Sequence, residues 1–342
     1  MATWPFAPPI SPMEARVAGA LPPEGDWAFE PKWDGFRAIA WSGELRLDSR
    51  NRRPLLRYFP ELEGPLAALP PGTVVDGEIV VVSNDRLDFD ALQNRLHPAA
   101  TRVARLARQT PATLVAFDLL AAGGEDLRAA PFDGRRERLA SLAAALPPPW
   151  TLTPSTCERA VALRWFDDFE AARCDGIVAK RRQGPYVEGK RDMIKVKHRR
   201  TVDCVVGGYR VSEDGRGLGS ILLGLYDGEG RLHLLGHCSG FPERERPALL
   251  ARFARIRATD SFGTGEGVRR PGAESRWSAG KDLSWVPVRP TEVVEISYDQ
   301  LTGARFRHAT RFERWRPDKD AAACTLDQLA RPSGPGFSAM VR

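Results

Sequence analysis

Lysine is scarce in this chain: of fifty Lys and Arg residues only seven are lysine. Arginine holds its charge permanently, so a chain biased this way keeps lysine most tellingly where an amine must lose its proton. That scarcity makes Lys32 the leading candidate for a nucleophile. Cysteine is also sparse. Its five copies, Cys157, Cys174, Cys204, Cys238 and Cys324, are scattered and include no Cys-x-x-Cys pair. The pattern argues against a zinc site or a disulfide framework and fits a reducing cytosol. The five histidines show neither metal-ligand spacing nor a recognisable pairing with serine, which leaves them without a catalytic role. No run of eighteen apolar residues occurs, and Met1 to Phe6 carries no basic stretch ahead of an apolar core. Neither a membrane span nor an export signal is therefore expected, and the location expected is cytoplasmic.

What is present suffices for two globular domains: 342 residues, 42% of them hydrophobic. The formal net charge of +6 favours a polyanionic partner such as nucleic acid. The first thirty residues are rich in proline and read as an extended arm wrapping onto a domain. Strand-like runs follow at 36–41, 73–82, 113–120 and 176–179, with helical patterns at 135–146 and 160–172 between them. This alternation predicts a mixed α and β domain over residues 1–200. After the basic stretch Lys197 to Thr201, strand patterns at 203–210, 220–226, 232–237 and 292–298 are interrupted by one helical segment, 243–256. Several short strands with a late helix suit a small Greek-key barrel of the OB type, expected over residues 201–320. Residues 261–281 read as a surface loop whose Arg269, Arg270 and Arg276 are placed to grip backbone phosphates, and residues 321–342 as a tail.

The chemistry concentrates in five ordered segments: Lys32-Trp33-Asp34-Gly35, Asp76-Gly77-Glu78, Phe117-Asp118, Asp175-Gly176-Ile177-Val178-Ala179-Lys180 and Ile194-Lys195-Val196-Lys197. Each alone reads as a turn, a core aromatic or a solvated strand face. An amine that attacks phosphorus must be neutral, and Lys195 and Lys197, on one face of a strand, would supply positive charge that depresses its pKa. Glu78 and Asp175, carboxylates beside glycines at expected strand ends, suit Mg²⁺ or a ribose hydroxyl. Phe117-Asp118 is expected to end its strand.

Together the segments resemble the nucleotidyltransferase motifs of the ATP-dependent DNA ligase superfamily, which also contains RNA ligases and mRNA capping enzymes. The run Glu30 to Arg37 and the late Phe306 to Phe312 are similar to the short two-domain bacterial ligases of the C type. The resemblance implies an α+β fold: a nucleotidyltransferase (ATP-grasp-like ligase) catalytic domain followed by a β-barrel OB-fold domain. It implies ATP and Mg²⁺, with Mn²⁺ as a substitute, and Lys32 as the residue that takes AMP before passing it to the 5′-phosphate of a nick. Asp175 takes the metal role and Glu78 the ribose or metal role. Phe117 stacks on adenine and Glu30 meets its amino group. Arg37 and Arg50 reach ribose and the nick phosphate, Lys180 lies near the site, and Arg316 with Lys319 orients pyrophosphate after a swing about residues 197–201. The partners implied are nicked duplex DNA and, in repair, a polymerase or an end-binding protein; the chain would act as a monomer and touch no membrane. An RNA ligase, a GTP-dependent capping enzyme and a catalytically silent nucleic-acid clamp stay open as alternatives.

Overall fold

The computed structural model describes residues 4–146, 148–272, 283–303, 305–330 and 333–341. The chain divides into two units, residues 1–198 with 331–342, and residues 199–330.

The first unit is built on two sheets. β1 (Ala15–Val17), β2 (Trp27–Pro31), β10 (Gly176–Arg181) and β11 (Met193–Lys197) form a four-stranded sheet in the order β1-β11-β10-β2. The larger sheet runs β4 (Arg46–Ser49), β3 (Phe36–Trp41), β5 (Val74–Ser83), β7 (Ala112–Ala122), β8 (Glu125–Asp126), with β6 (Arg86–Leu87) paired to β5 and β9 (Trp150–Leu152) to β7. β5 and β7 are apolar on both faces because both are covered. One face packs Ala38, Val75, Ile79 and Leu114 against Leu62, Leu66, Leu92 and Leu139, from the segments that carry α1 (Glu63–Ala67), α2 (Phe89–Asn94) and α4 (Phe132–Ala143). The other packs Ile39, Trp41, Val74 and Leu120 against Ile10 and Met13 of the N-terminal arm, Tyr186, and Met193 of β11. Trp4 and Phe6 meet Trp41 edge-on, with ring centroids at 5.2 and 5.6 Å. The proline-rich arm thus closes the gap between the sheets.

Two more helices complete this region, α3 (Ala100–Gln109) and α5 (Arg159–Asp168). Phe117-Asp118 and Glu78, expected at strand ends, lie inside β7 and β5; the apolar run continues to Ala121 and Ala122, so the strand does not stop. The β5–β7 pairing shifts register between Asp76 and Gly77, which re-aims side chains in mid-strand. Asp118 is wholly buried, and Arg135 of α4 neutralises it with Nε and Nη2 donating to its two carboxylate oxygens at 2.8 and 3.1 Å.

The second unit is a curled antiparallel sheet, β14 (Leu232–Cys238), β13 (Leu218–Tyr226), β12 (Arg200–Val211), β16 (Val293–Tyr298), β19 (Arg311–Trp315), with β15 (Val286–Pro287) added beside β12. A hairpin, β17 (Leu301–Thr302) and β18 (Arg305–Phe306), stands apart. α6 (Arg246–Ala254) covers the sheet through Leu249 and Phe253. The expected helix over 243–256 splits because Pro247 has no N–H to donate, so a 3-10 turn precedes α6. The sheet curls without closing into a continuous barrel: near the end strands, Cys238 and Thr310 meet in a single isolated bridge. Of the expected phosphate-gripping loop, Arg276 lies outside the described residues. Arg270 is already engaged with Asp260 at 2.7 Å and with the carbonyls of Phe262 and Gly263.

The last described residues return to the first unit. Gly336 leads into the single turn α7 (Phe337–Met340). The N–H of Phe337 donates to the Asp85 carbonyl at 2.7 Å, and the N–H and hydroxyl of Ser338 donate to the Asp85 carboxylate at 2.8 and 2.9 Å. Phe337 and Met340 join a cluster with Trp33, Val80, Val115 and Phe169. The tail therefore completes a core that includes the residue after Lys32. Phe337→Ala is expected to destabilise the first unit by roughly 3 kcal/mol, the usual cost of deleting a buried ring. Hydrogen exchange checks this: amides of β5 and β7 should lose protection while β12 and β13 keep theirs, and unchanged protection in β5 would contradict it.

Candidate active site

β2 and β3 belong to different sheets, and residues 32–35 make the crossing between them. Backbone bonds fix that crossing. The N–H of Lys32 donates to the Gly176 carbonyl and the N–H of Asp175 donates to the Lys32 carbonyl, both at 2.8 Å. Two glycines permit the approach. A Cβ on Gly35 would lie 2.2 Å from the Ile79 carbonyl oxygen, and one on Gly176, at φ +139°, 2.0 Å from that of Val196. Trp33 is clamped behind the crossing, its indole N–H donating to Thr153 Oγ1 at 2.9 Å and its ring 5.6 Å from Phe337.

The crossing opens onto a cavity of about 580 Å³, within the range that holds a nucleotide-sized ligand. Its lining includes Glu30, Lys32, Arg37, Arg50, Glu78, Phe117, Lys180 and Lys195, so eight of the residues singled out from the sequence meet in one place. Lys32 Nζ stands 2.7 Å from Asp175 Oδ2, and Lys197 Nζ is 3.3 Å from the same oxygen. Burial lowers the Lys32 pKa, but Asp175, Glu78 and Asp34 outweigh it and the net shift is upward. The depression expected from neighbouring lysines is thus reversed, because the carboxylates outweigh them. It is Lys195 whose pKa is lowered, by burial and then by Lys32, Lys197 and Arg50.

Other side chains are held in place by partners. Arg37 clasps the fully buried Asp76 through Nε and Nη2, each at 2.5 Å, and donates to the Met13 carbonyl at 3.1 Å. Tyr186 donates to the same carboxylate at 2.6 Å. The anchoring role of Asp76 and Tyr186 was missed in the sequence. Asp76 had a visible signal, since two residues before Glu78 on a strand it shares that residue's face; Tyr186 had none. Lys180 is buried, 2.8 Å from Glu30 Oε2 and donating to the Phe117 carbonyl at 2.8 Å, so it is no surface charge at a strand end. Arg37 Cζ and Lys180 Nζ each sit 4.6 Å from the Phe117 ring centroid. Arg50 pairs with Glu14 at 2.7 Å. Arg316 and Lys319 belong to the second unit, where Arg316 binds Asp203 at 2.8 Å and Asp318 at 2.9 Å.

Two carboxyl groups of the cavity lining, Glu30 and Glu78, differ from the paired ones. Glu30 Oε1 is buried with no hydrogen-bond partner among the described residues, a costly state unless a ligand donates to it. Glu78 forms no ion pair among the described residues, and burial raises its carboxyl to about 7 against the pull of Arg37 and Lys32. Among those residues no group of three or more His, Cys, Asp or Glu could hold a metal by itself. A pair of carboxylates, Glu78 and Asp175, does fit Mg²⁺, which keeps several waters and commonly takes one or two carboxylates plus substrate phosphates.

A raised carboxyl pKa means that the folded chain binds a proton the unfolded chain releases near 4.5. That stabilising contribution is complete below 4.5 and lost as pH rises to about 7. Without nucleotide or metal, Glu78→Gln is expected to flatten the fall in melting temperature across that window. Parallel melting profiles for the two proteins would contradict the assignment.

Family models match both parts of the chain: residues 13–197 the ATP dependent DNA ligase domain, and residues 214–319 the ATP dependent DNA ligase C terminal region. The chain is similar to DNA ligase C2 of Mycolicibacterium smegmatis, 48% identical over 96% of each chain, and to DNA ligase C of Mycobacterium tuberculosis, 46% identical over 96% of each. It is 32% identical to the multifunctional non-homologous end joining DNA repair protein LigD of Mycobacterium tuberculosis, over 91% of this chain and 38% of that one. A solved Lig E DNA ligase shares the fold, with a TM-score of 0.57 at 19% identity over 90% of this chain and 99% of that chain. No described helix is long and apolar enough to cross a membrane. On these matches, and with the motif residues gathered at one cavity, the chain belongs to the ATP-dependent DNA ligase family.

Proposed function

We propose that Lys32 is the nucleophile by which this ligase takes AMP from ATP, within a three-step sealing of nicked DNA. The observation that carries the reading is that three of the chain's seven lysines, Lys32, Lys180 and Lys195, line one cavity, while a fourth, Lys197, shares Asp175 with Lys32. In the first step Lys32 Nζ bonds to the α-phosphorus, the bond to the bridging oxygen of the leaving pyrophosphate breaks, and that oxygen keeps the electron pair. Asp175 Oδ2, 2.7 Å away, is placed to take the ammonium proton and so free the attacking lone pair. AMP then passes to the 5′-phosphate at the nick, and the 3′-hydroxyl displaces it.

Glu30 Oε1, buried, without a hydrogen-bond partner among the described residues and 3.9 Å from Arg136 Nη1, suits the adenine amino group, with Phe117 supplying an aromatic wall. Lys180, 2.8 Å from Glu30 Oε2, orients Glu30 for that contact. Arg37, fixed by Asp76, and Arg50 at the rim offer guanidinium groups to ribose and to the nick phosphate. Lys195 and Lys197 neutralise phosphate oxygens from one face of β11. Glu78 and Asp175 would hold Mg²⁺, or Mn²⁺ in its place; bound there, the ion would neutralise phosphate charge.

The curled sheet of the second unit is read as an OB-fold domain, residues 201–320, following an adenylation domain, residues 1–200. Arg316 and Lys319 keep the pyrophosphate role that the resemblance implies. DNA repair is the setting we assign, supported by the similarity to a non-homologous end joining protein; a repair polymerase or an end-binding protein would be the companion, and the ligase itself a monomer. The alternatives of an RNA ligase, a capping enzyme or a silent clamp each lack an observation in their favour.

Lys32→Arg keeps the charge and removes the nucleophile. Sealing of an end-labelled nicked duplex, with matched DNA and RNA 3′-hydroxyl strands, ATP and Mg²⁺, should give product with the DNA strand for the native chain. The variant should form no adenylated protein and should still seal nicks whose 5′-phosphate already carries AMP, at a reduced rate. Adenylation of the variant would refute the assignment.

A further inference from the structure

Between Asp90 and Asp118 the sequence contains no acidic residue, yet that stretch holds Arg95, Arg102, Arg105 and Arg108. Arg95 is wholly buried on Glu61. The other three lie on α3 and are exposed. At 100° per residue they cover an arc of about 120° and span about 9 Å along the axis. Val103 is buried on the other side of the helix, with Leu106 and Ala107 partly covered beside it. The helix is anchored by one face and presents arginine on the other.

Three like charges at this spacing repel one another and weaken the helix they stand on. Arg102, in the first turn, also opposes the positive end of the helix dipole. A merely solvated helix face relieves such strain with Glu or Asp three or four residues away, and none is present. Among the described residues no carboxylate lies within ion-pair distance of these three. The positive surface continues toward the cavity. Exposed Arg57 donates to the carbonyl of Pro98 at 3.4 Å, just ahead of α3, and exposed Arg52 and Arg53 lie at the turn after β4, where Arg53 lines the cavity mouth. None of these has an ion pair among the described residues either.

We infer that this arginine face, α3 together with the rim at Arg52, Arg53 and Arg57, binds the phosphate backbone of the duplex flanking the nick. The inference rests on the ligase reading and adds where a chain with no further DNA-binding domain among its matched regions grips its substrate. Guanidinium groups on a rigid helix pair with phosphates without reading base identity, as a sealing enzyme requires. Each phosphate contact releases counterions, which makes its contribution measurable by salt.

The experiment compares the native chain with the triple variant Arg102→Gln, Arg105→Gln, Arg108→Gln. Binding of a fluorescent nicked duplex is titrated from low to moderate salt, and protein adenylation by ATP is measured without DNA. The variant should bind at least tenfold more weakly at low salt, with the slope of log affinity against log salt shallower by roughly 2.7, about 0.9 for each lost contact. Adenylation should be unchanged. A triple Arg→Lys variant should keep most of the native slope. Unchanged affinity and slope with intact adenylation would overturn the inference and leave the ligase reading standing. Loss of adenylation in both variants would show the arginines to be structural and overturn it equally, whereas absence of sealing by the native chain would strike at the ligase reading.

Discussion

The ion pair between Lys32 and Asp175 is the contact on which the rest of the architecture turns. Its partners come from opposite ends of the first unit's sequence, and they meet because residues 32–35 cross from one sheet to the other while hydrogen-bonded to Asp175 and Gly176. The two sheets, the proline-rich arm that fills the space between them and the glycines that allow their close approach all hold this crossing. The pair also sets the resting state of the site. Carboxylates outweigh the neighbouring cations, so the amine waits protonated beside a group able to take the proton.

Buried charge elsewhere in the first unit follows the same logic. Glu30 with Lys180, Arg37 with Asp76 and Arg135 with Asp118 are each paired and hydrogen-bonded, as burial demands. Such pairs are weak sources of stability but hold side chains in one geometry, and two of the three have a member facing the cavity. What the site leaves open is specific: one oxygen of Glu30 and the carboxyl of Glu78. Both suit a nucleotide and its accompanying cation.

Much of this was legible in the sequence because the chemistry sits on strands. Alternation placed Lys195 and Lys197 on one face, and the order of the segments around Lys32, Glu78 and Asp175 carried the family resemblance. The misses share a physical cause, contact between residues remote in sequence. Nothing local distinguishes Tyr186 as a support for Asp76, or Lys180 as a buried partner rather than a strand-end charge. The pKa direction at Lys32 was reversed for the same reason: counting nearby lysines along the chain says nothing of which carboxylate lies 2.7 Å away. The tail has no periodicity, so its docking through Phe337 and Ser338 had no sequence signal. Alternation placed four strands of the second unit, β12, β13, β14 and β16, but not β19 at the sheet's edge, and closure of the sheet depends on how two distant strands meet.

Of Lys32, Lys180 and Lys195 at the cavity and Lys197 beside it, Lys32 is the one proposed to carry AMP. Incubating the protein with ATP and Mg²⁺, digesting it and locating the AMP by mass spectrometry tests this most directly. The prediction is a single adduct on the peptide that contains Lys32. An adduct on Lys180, Lys195 or Lys197, or none on any lysine, would contradict it.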